Sequence, residues 1–239
     1  MDKLQPVPIA NERILRPEAG GTLAAQQNRV LRNTYWLLAL SLLPTIGGAL
    51  IGGQLGLAAL FAAYPIAAPL GLFAVMIGSL FVVTALRNSA WGVAALFGFT
   101  FIAGLALTPI LTYAAGFRNG GQLVALAGGM TAVIFFALAG FATVTKKDFS
   151  FMGKFLFVGL ILLIVAALAN LFFQIPALSL TISAIAVLLF SAYILYDVSR
   201  IVHGGETNYI MATMGLYLNI YNLFTSLLHI LMAFTGERD

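Results

Sequence analysis

The chain has 239 residues, 61% of them hydrophobic and only 8% charged, with a net charge of +4 and a mean hydropathy of +1.01. A soluble domain carries about 25% charged residues, so this composition excludes an ordinary soluble protein and points to a membrane. The absence of cysteine excludes a disulfide framework, a thiolate metal site and a cysteine nucleophile.

Residues 1–32 read as a flexible polar tail, with Lys3, Arg13, Arg16, Arg29 and Arg32 set against Asp2, Glu12 and Glu18. It holds no short apolar core followed by a cleavage site, so no signal peptide is expected. Pro6, Pro8, Pro17 and the Gly20-Gly21 pair argue against a long stable helix before about residue 23. Beyond it, within residues 33–235, apolar runs of about 20 residues recur. They predict an all-α polytopic membrane protein with spans at about 35–53, 65–86, 90–113, 121–145, 151–173, 176–200 and 209–234. Leu55–Tyr64 is left as a connection. Pro44 falls in the first span and Pro109 in the third, as membrane helices tolerate.

Seven spans fix an orientation. One side receives five basic residues from the tail together with Arg87, Lys146, Lys147, Lys154 and Arg200; the other receives Arg118 and Arg238. Ten against two places the N-terminus in the cytoplasm and the C-terminus outside. The same bias explains the basic excess without nucleic acid, which it would suggest in a soluble protein.

The stretch Asp197–Asn222 stands out. Asp197 ends an apolar run with no polar residue just before it, and an ionisable group there is a candidate functional site. One reading is a titratable group in a closed pore or cavity. The other, given equal weight, is a carboxylate at the interface paired with Arg200 three residues on. In the following helix Gly215, Asn219, Asn222, Ser226 and His229 recur at spacings of four, three, four and three. They form one stripe of small and polar groups that faces protein or water, not lipid. Asn219 and Asn222 are expected to hydrogen-bond between helices. His229 has no companion ligands and reads as packing. The Gly48–Gly52 pair is too common a pattern to name a dimer.

The HGGE turn, His203–Glu206, lacks the lysine and hydroxyl of a phosphate loop. No HExxH, no GxSxG and no paired intramembrane aspartates occur. Nothing therefore supports an enzyme, a metal or a cofactor.

Several segments together resemble the Bax inhibitor-1 / YccA family, most closely its bacterial YccA branch. They are ILYD (Ile194–Asp197), HGGETNYI (His203–Ile210) and LYLNIYNLF (Leu216–Phe224), with LRNTY (Leu31–Tyr35), KDFSF (Lys147–Phe151) and ANLFFQIPA (Ala169–Ala177). The resemblance covers nearly all of the chain after residue 30. It implies a seven-helix bundle with the seventh span central, in a bacterial inner membrane. It implies two activities. One is binding to the membrane-bound protease FtsH with modulation of its proteolysis. The other is a pH-sensitive calcium leak, attributed to two aspartates that share a proton and are held by an arginine near the second span. Asp197 matches the first aspartate, and Arg87 lies where the arginine would come from. The second position is Asn219 here.

That departure matters. Two carboxylates sharing a proton titrate as a coupled pair, and Asp197 with Asn219 has one ionisable group. FtsH modulation is therefore the favoured expectation and the leak the alternative. With FtsH as partner, the tail and its Arg13, Arg16, Arg29 and Arg32 become the expected handle for the protease.

Overall fold

The computed structural model describes residues 17–237, with side chains from residue 25 onward. In chain order it comprises α1 (Pro17–Gln54), α2 (Leu57–Ala63), α3 (Ala67–Leu86), α4 (Gly92–Ala115), α5 (Gly120–Thr145), a 3-10 turn (Ser150–Met152), α6 (Gly153–Phe173), α7 (Pro176–Val202) and α8 (Tyr209–Thr235). No strand occurs among the described residues. Seven helices, all but α2, are long and apolar enough to cross a bilayer.

Two local features differ from the sequence reading. The helix that carries the first span begins at Pro17, not near residue 35, so Arg29 and Arg32 lie on α1 and not on a flexible tail. Proline suits a first helical position, where its missing N–H costs nothing, and Gly20 and Gly21 weaken a helix without stopping it. Arg13 and Arg16 lie outside the described residues. The stretch taken as a plain connection after α1 holds the short helix α2.

Position in the bundle follows polarity. α8 is the least hydropathic of the seven spans, and none of the others is more enclosed. It packs against α1, α4, α5 and α7, whereas α3 leans mainly on α4 and α6 on α7. α3 and α6 bury almost nothing and carry apolar side chains outward, among them Phe73, Phe81, Phe155 and Phe157.

The α1–α4 crossing depends on glycine. A Cβ at Gly48 would strike the carbonyl of Phe101, one at Gly104 the carbonyl of Thr45, and one at Gly52 the side chain of Thr108. With no hydrophobic drive between helices in lipid, such backbone approach is how they associate. The Gly48–Gly52 pair is thus used inside the chain.

At the end of the bundle that holds the α5–α6 loop, α7 clamps that loop. Ser199 Oγ donates to Lys147 O at 3.1 Å and accepts from Phe149 N at 3.0 Å. The His203 ring bridges Ser199 O at 2.8 Å and Lys146 O at 2.9 Å. Within the loop, Ser150 N donates to Asp148 Oδ1 at 2.8 Å, and bonding from Ser150 holds the Asp148 carboxyl below the usual carboxylate range.

Two glycines on α4 separate close packing from helix propensity. Gly104→Ala is expected to lower thermal stability in detergent, overpacking costing about 1–3 kcal/mol. Gly98 has nothing within 4 Å of a new Cβ, so Gly98→Ala is expected to raise stability by about 0.5–1 kcal/mol. Equal melting shifts would contradict the close crossing. Ser199→Ala is expected to cost about 1–3 kcal/mol, because it strands Phe149 N. Thermal unfolding with proteolysis at Lys146 or Lys147 reads both the loss and its place.

Candidate functional site

The last turns of α7 and the first turns of α8 form the site. The turn between them is a compact cap. Gly205 N and Glu206 N both donate to Arg200 O, at 2.8 and 3.3 Å, and Gly204 takes a positive φ of 75° that glycine adopts without strain. Gln27 of α1 covers Gly204 closely. Asn208 then caps α8. Its Oδ1 accepts from Ile210 N and Met211 N at 3.0 and 3.1 Å. Its Nδ2 donates to Arg87 O at 3.0 Å and Asn88 Oδ1 at 2.8 Å, tying the α3–α4 loop to the start of α8.

This geometry sets Asp197 against the face of α8 that carries Gly215 and Asn219. Asn219 Nδ2 donates to Asp197 Oδ2 at 2.8 Å. A Cβ on Gly215 would come within 3.1 Å of the same oxygen, so glycine leaves the room the carboxylate occupies. Asn219 is buried and Asp197 partly so. The spacing of four between Gly215 and Asn219 is one helical turn, which stacks seat and donor on one face.

The other expected members are not all gathered here. Arg87 is exposed at the C-terminal end of α3 and makes no ion pair with Asp197. The one salt bridge among the described residues joins Arg200 to Glu206 at 3.8 Å. The Asp197–Arg200 ion pair, one of the two readings given equal weight, is therefore absent as well, and the Arg200 guanidinium instead sits 5.6 Å from the Tyr196 ring centre. Asn222 Nδ2 turns back on its own helix, to Leu218 O at 2.8 Å. It is not the interhelical donor its spacing suggested, because the preceding turn offers a nearer acceptor. Ser226 is buried on the stripe. At the far end of α8, His229 Nδ1 meets Ser183 Oγ of α7 at 3.1 Å. It borders a cavity of about 720 Å³ that Asn170, Gln174 and Ser179 also line. Arg29 and Arg32 stand exposed on α1 and neither takes part in the one salt bridge among the described residues.

Two residues were missed by the sequence reading. Tyr217 OH shares a 2.7 Å hydrogen bond with Thr45 Oγ1 of α1 and donates to Thr100 O of α4 at 3.4 Å. Thr213 Oγ1 donates to Tyr209 O at 2.7 Å and lies 3.4 Å from Thr34 O of α1. Their spacing of four marks a second face of α8, turned from the Asn219 face, and was the available signal. α8 thus satisfies polar groups in three directions.

Chemically, Asp197 is one carboxylate facing one amide donor, and the second carboxylate of the site, Glu206 in the cap, pairs with Arg200. No group of three or more His, Cys, Asp or Glu that would hold a metal ion occurs among the described residues.

The two asparagines are expected to separate. Asn219→Leu removes an interhelical bond and is expected to cost about 0.6–2 kcal/mol. Asn222→Leu removes only a bond within its own helix and is expected to cost much less. Equal melting losses in detergent would contradict the placement of Asn219 on Asp197.

Residues 27–236 match the family model described as "Inhibitor of apoptosis-promoting Bax1". Among curated proteins, the chain is 48% identical over 211 residues to an uncharacterized protein of Pseudomonas aeruginosa, spanning 87% of this chain and 90% of that one. It is 44% identical over 206 residues to an uncharacterized membrane protein of Vibrio cholerae, spanning 86% and 90%. It is 39% identical over 222 residues to the "Modulator of FtsH protease YccA" of Escherichia coli K12, spanning 92% and 97%. The chain is a seven-helix membrane protein of the Bax inhibitor-1 family.

Proposed function

We propose that this protein binds FtsH in a bacterial inner membrane and modulates its proteolysis of membrane proteins. The observation that carries this reading is the 39% identity to the Escherichia coli modulator, which extends over 92% of this chain and 97% of that protein. Similarity of that extent covers the whole bundle and not a shared fragment. The architecture supports a binding role over catalysis. Polar groups are spent on holding helices together, and the outward faces of α3 and α6 are apolar and thinly packed. Such faces suit contact with lipid or with another protein's membrane helices.

In the orientation that accompanies this reading, the N-terminus and the α5–α6 loop are cytoplasmic, and Asp239 lies on the other side. Trp36, one turn after Arg32, and Trp91, four residues after Arg87, are both strongly exposed. Indole rings favour the membrane–water interface, and both sit at the end of the bundle richest in Lys and Arg.

The calcium leak has less support. The resemblance attributes it to a coupled pair of carboxylates, and the partner of Asp197 is an amide 2.8 Å away. Wild-type protein in liposomes is expected to pass little calcium, with no switch between about pH 6 and 8, the range in which strongly shifted carboxylates titrate. Asn219→Asp is expected to introduce a pH-dependent flux. Strong pH-dependent flux through the unmodified protein would restore the leak.

The test of the main reading is co-purification from native membranes. Tagged protein extracted in mild detergent is expected to bring FtsH with it at levels above an unrelated seven-span control. Recovery no better than the control would contradict it. Reporter fusions at Asp148 and Asp239 are expected to report opposite sides of the membrane, and a shared side would overturn the orientation.

A further inference from the structure

Between α1 and α5 the bundle is open. Both helices pack on α8, and they meet each other through the edge-to-face contact of Tyr35 and Phe135, with ring centres 6.0 Å apart. Beside that contact runs a slot of about 720 Å³. Leu38 and Leu42 line one wall, Gly128, Ala132 and Gly140 the other, and Phe224 the floor.

The slot's length and lining bear on what fits. From Gly128 to Val144, both of which line it, α5 rises about 24 Å at roughly 1.5 Å per residue. Apart from Tyr35, Thr131 and Thr143 the lining is apolar, which suits hydrocarbon chains lying along the slot in contact with its walls.

The rim supplies the complement. The groove-facing residues of α1, Tyr35, Leu38 and Leu42, continue one turn back to Arg32. Those of α5, ending at Thr143 and Val144, continue to Lys146. Arg32 and Lys146 are both exposed, and neither takes part in the one salt bridge among the described residues. Two cations at one end of a long apolar slot match a phosphate joined to acyl chains.

We propose that this slot is a phospholipid-binding site, with the acyl chains between α1 and α5 and the phosphate at Arg32 and Lys146. The site does not depend on protease binding.

The glycines make the test clean. A Cβ at Gly128 or Gly140 meets nothing within 4 Å and both residues line the slot, so Gly128→Leu and Gly140→Leu start from open space beside it, and both remove a helix-weakening residue. Native mass spectrometry of the full chain in detergent, titrated with dioleoylphosphatidylglycerol, reads the bound lipid. Wild type is expected to hold one lipid in preference to others. Each leucine variant, with its melting temperature kept or raised, is expected to bind about tenfold more weakly, as loss of one or two methylene contacts would give. Arg32→Gln with Lys146→Gln is expected to weaken binding severalfold and to reduce preference over dioleoylphosphatidylcholine. Unchanged affinity in the stably folded leucine variants would place the lipid elsewhere and overturn the site. The native chain has no cysteine, so Ala132→Cys supplies a single thiol at the slot. In membranes it is expected to stay monomeric under oxidation. Efficient disulfide dimerisation would show that a second copy covers the slot and would also overturn the proposal.

Discussion

A polar side chain in hydrocarbon has no water to fall back on, and this constraint orders the bundle. α8 carries Thr213, Tyr217, Asn219, Asn222 and His229 along a single span. Placed at the periphery, it would turn those groups to lipid. Enclosed by α1, α4, α5 and α7, it satisfies them: Tyr217 on Thr45, Asn219 on Asp197, His229 on Ser183. Asn222 is satisfied within its own helix. The more apolar α3 and α6 take the outside, and the one buried polar side chain of α6, Asn170 near its end, bonds to Ser179 of α7.

The same constraint bears on Asp197. A carboxylate at this depth needs a donor, and the donor is the amide of Asn219, seated one turn from the glycine that makes room. An amide binds a carboxylate without adding a second titrating group. The hydrogen bond therefore joins α7 to α8 and leaves no proton to share between two acids. The two-acid pair to which the resemblance attributes a pH-sensitive leak is thus not present at this position.

Much of this was legible in the sequence. Seven apolar runs, a polar stripe at helical spacing and a set of short motifs gave the fold class and the family. Asp197 was marked as an ionisable group ending an apolar run, Gly215 and Asn219 by their spacing, and the structure brings those three together. Spacing names a face but not the helix opposite it. It could not show that Asn222 bonds backward on its own helix, that Arg87 stays exposed, or that Tyr217 reaches two other helices. Nor could it tell an interface glycine from an idle one: Gly104 and Gly98 look alike in sequence, and only one meets a neighbouring backbone. The start of α1 was misread because proline was weighed as a breaker, when at a first turn it is an initiator.

Modulation of a membrane protease is the central claim, and a rate is its most direct test. Purified FtsH, reconstituted in liposomes with a membrane-protein substrate and ATP, is measured with increasing amounts of this protein. A saturable change in substrate turnover, with no change in FtsH hydrolysis of a small soluble peptide, is expected of a modulator that acts on membrane substrates. A turnover rate that stays flat as this protein passes well beyond equimolar with FtsH would contradict it.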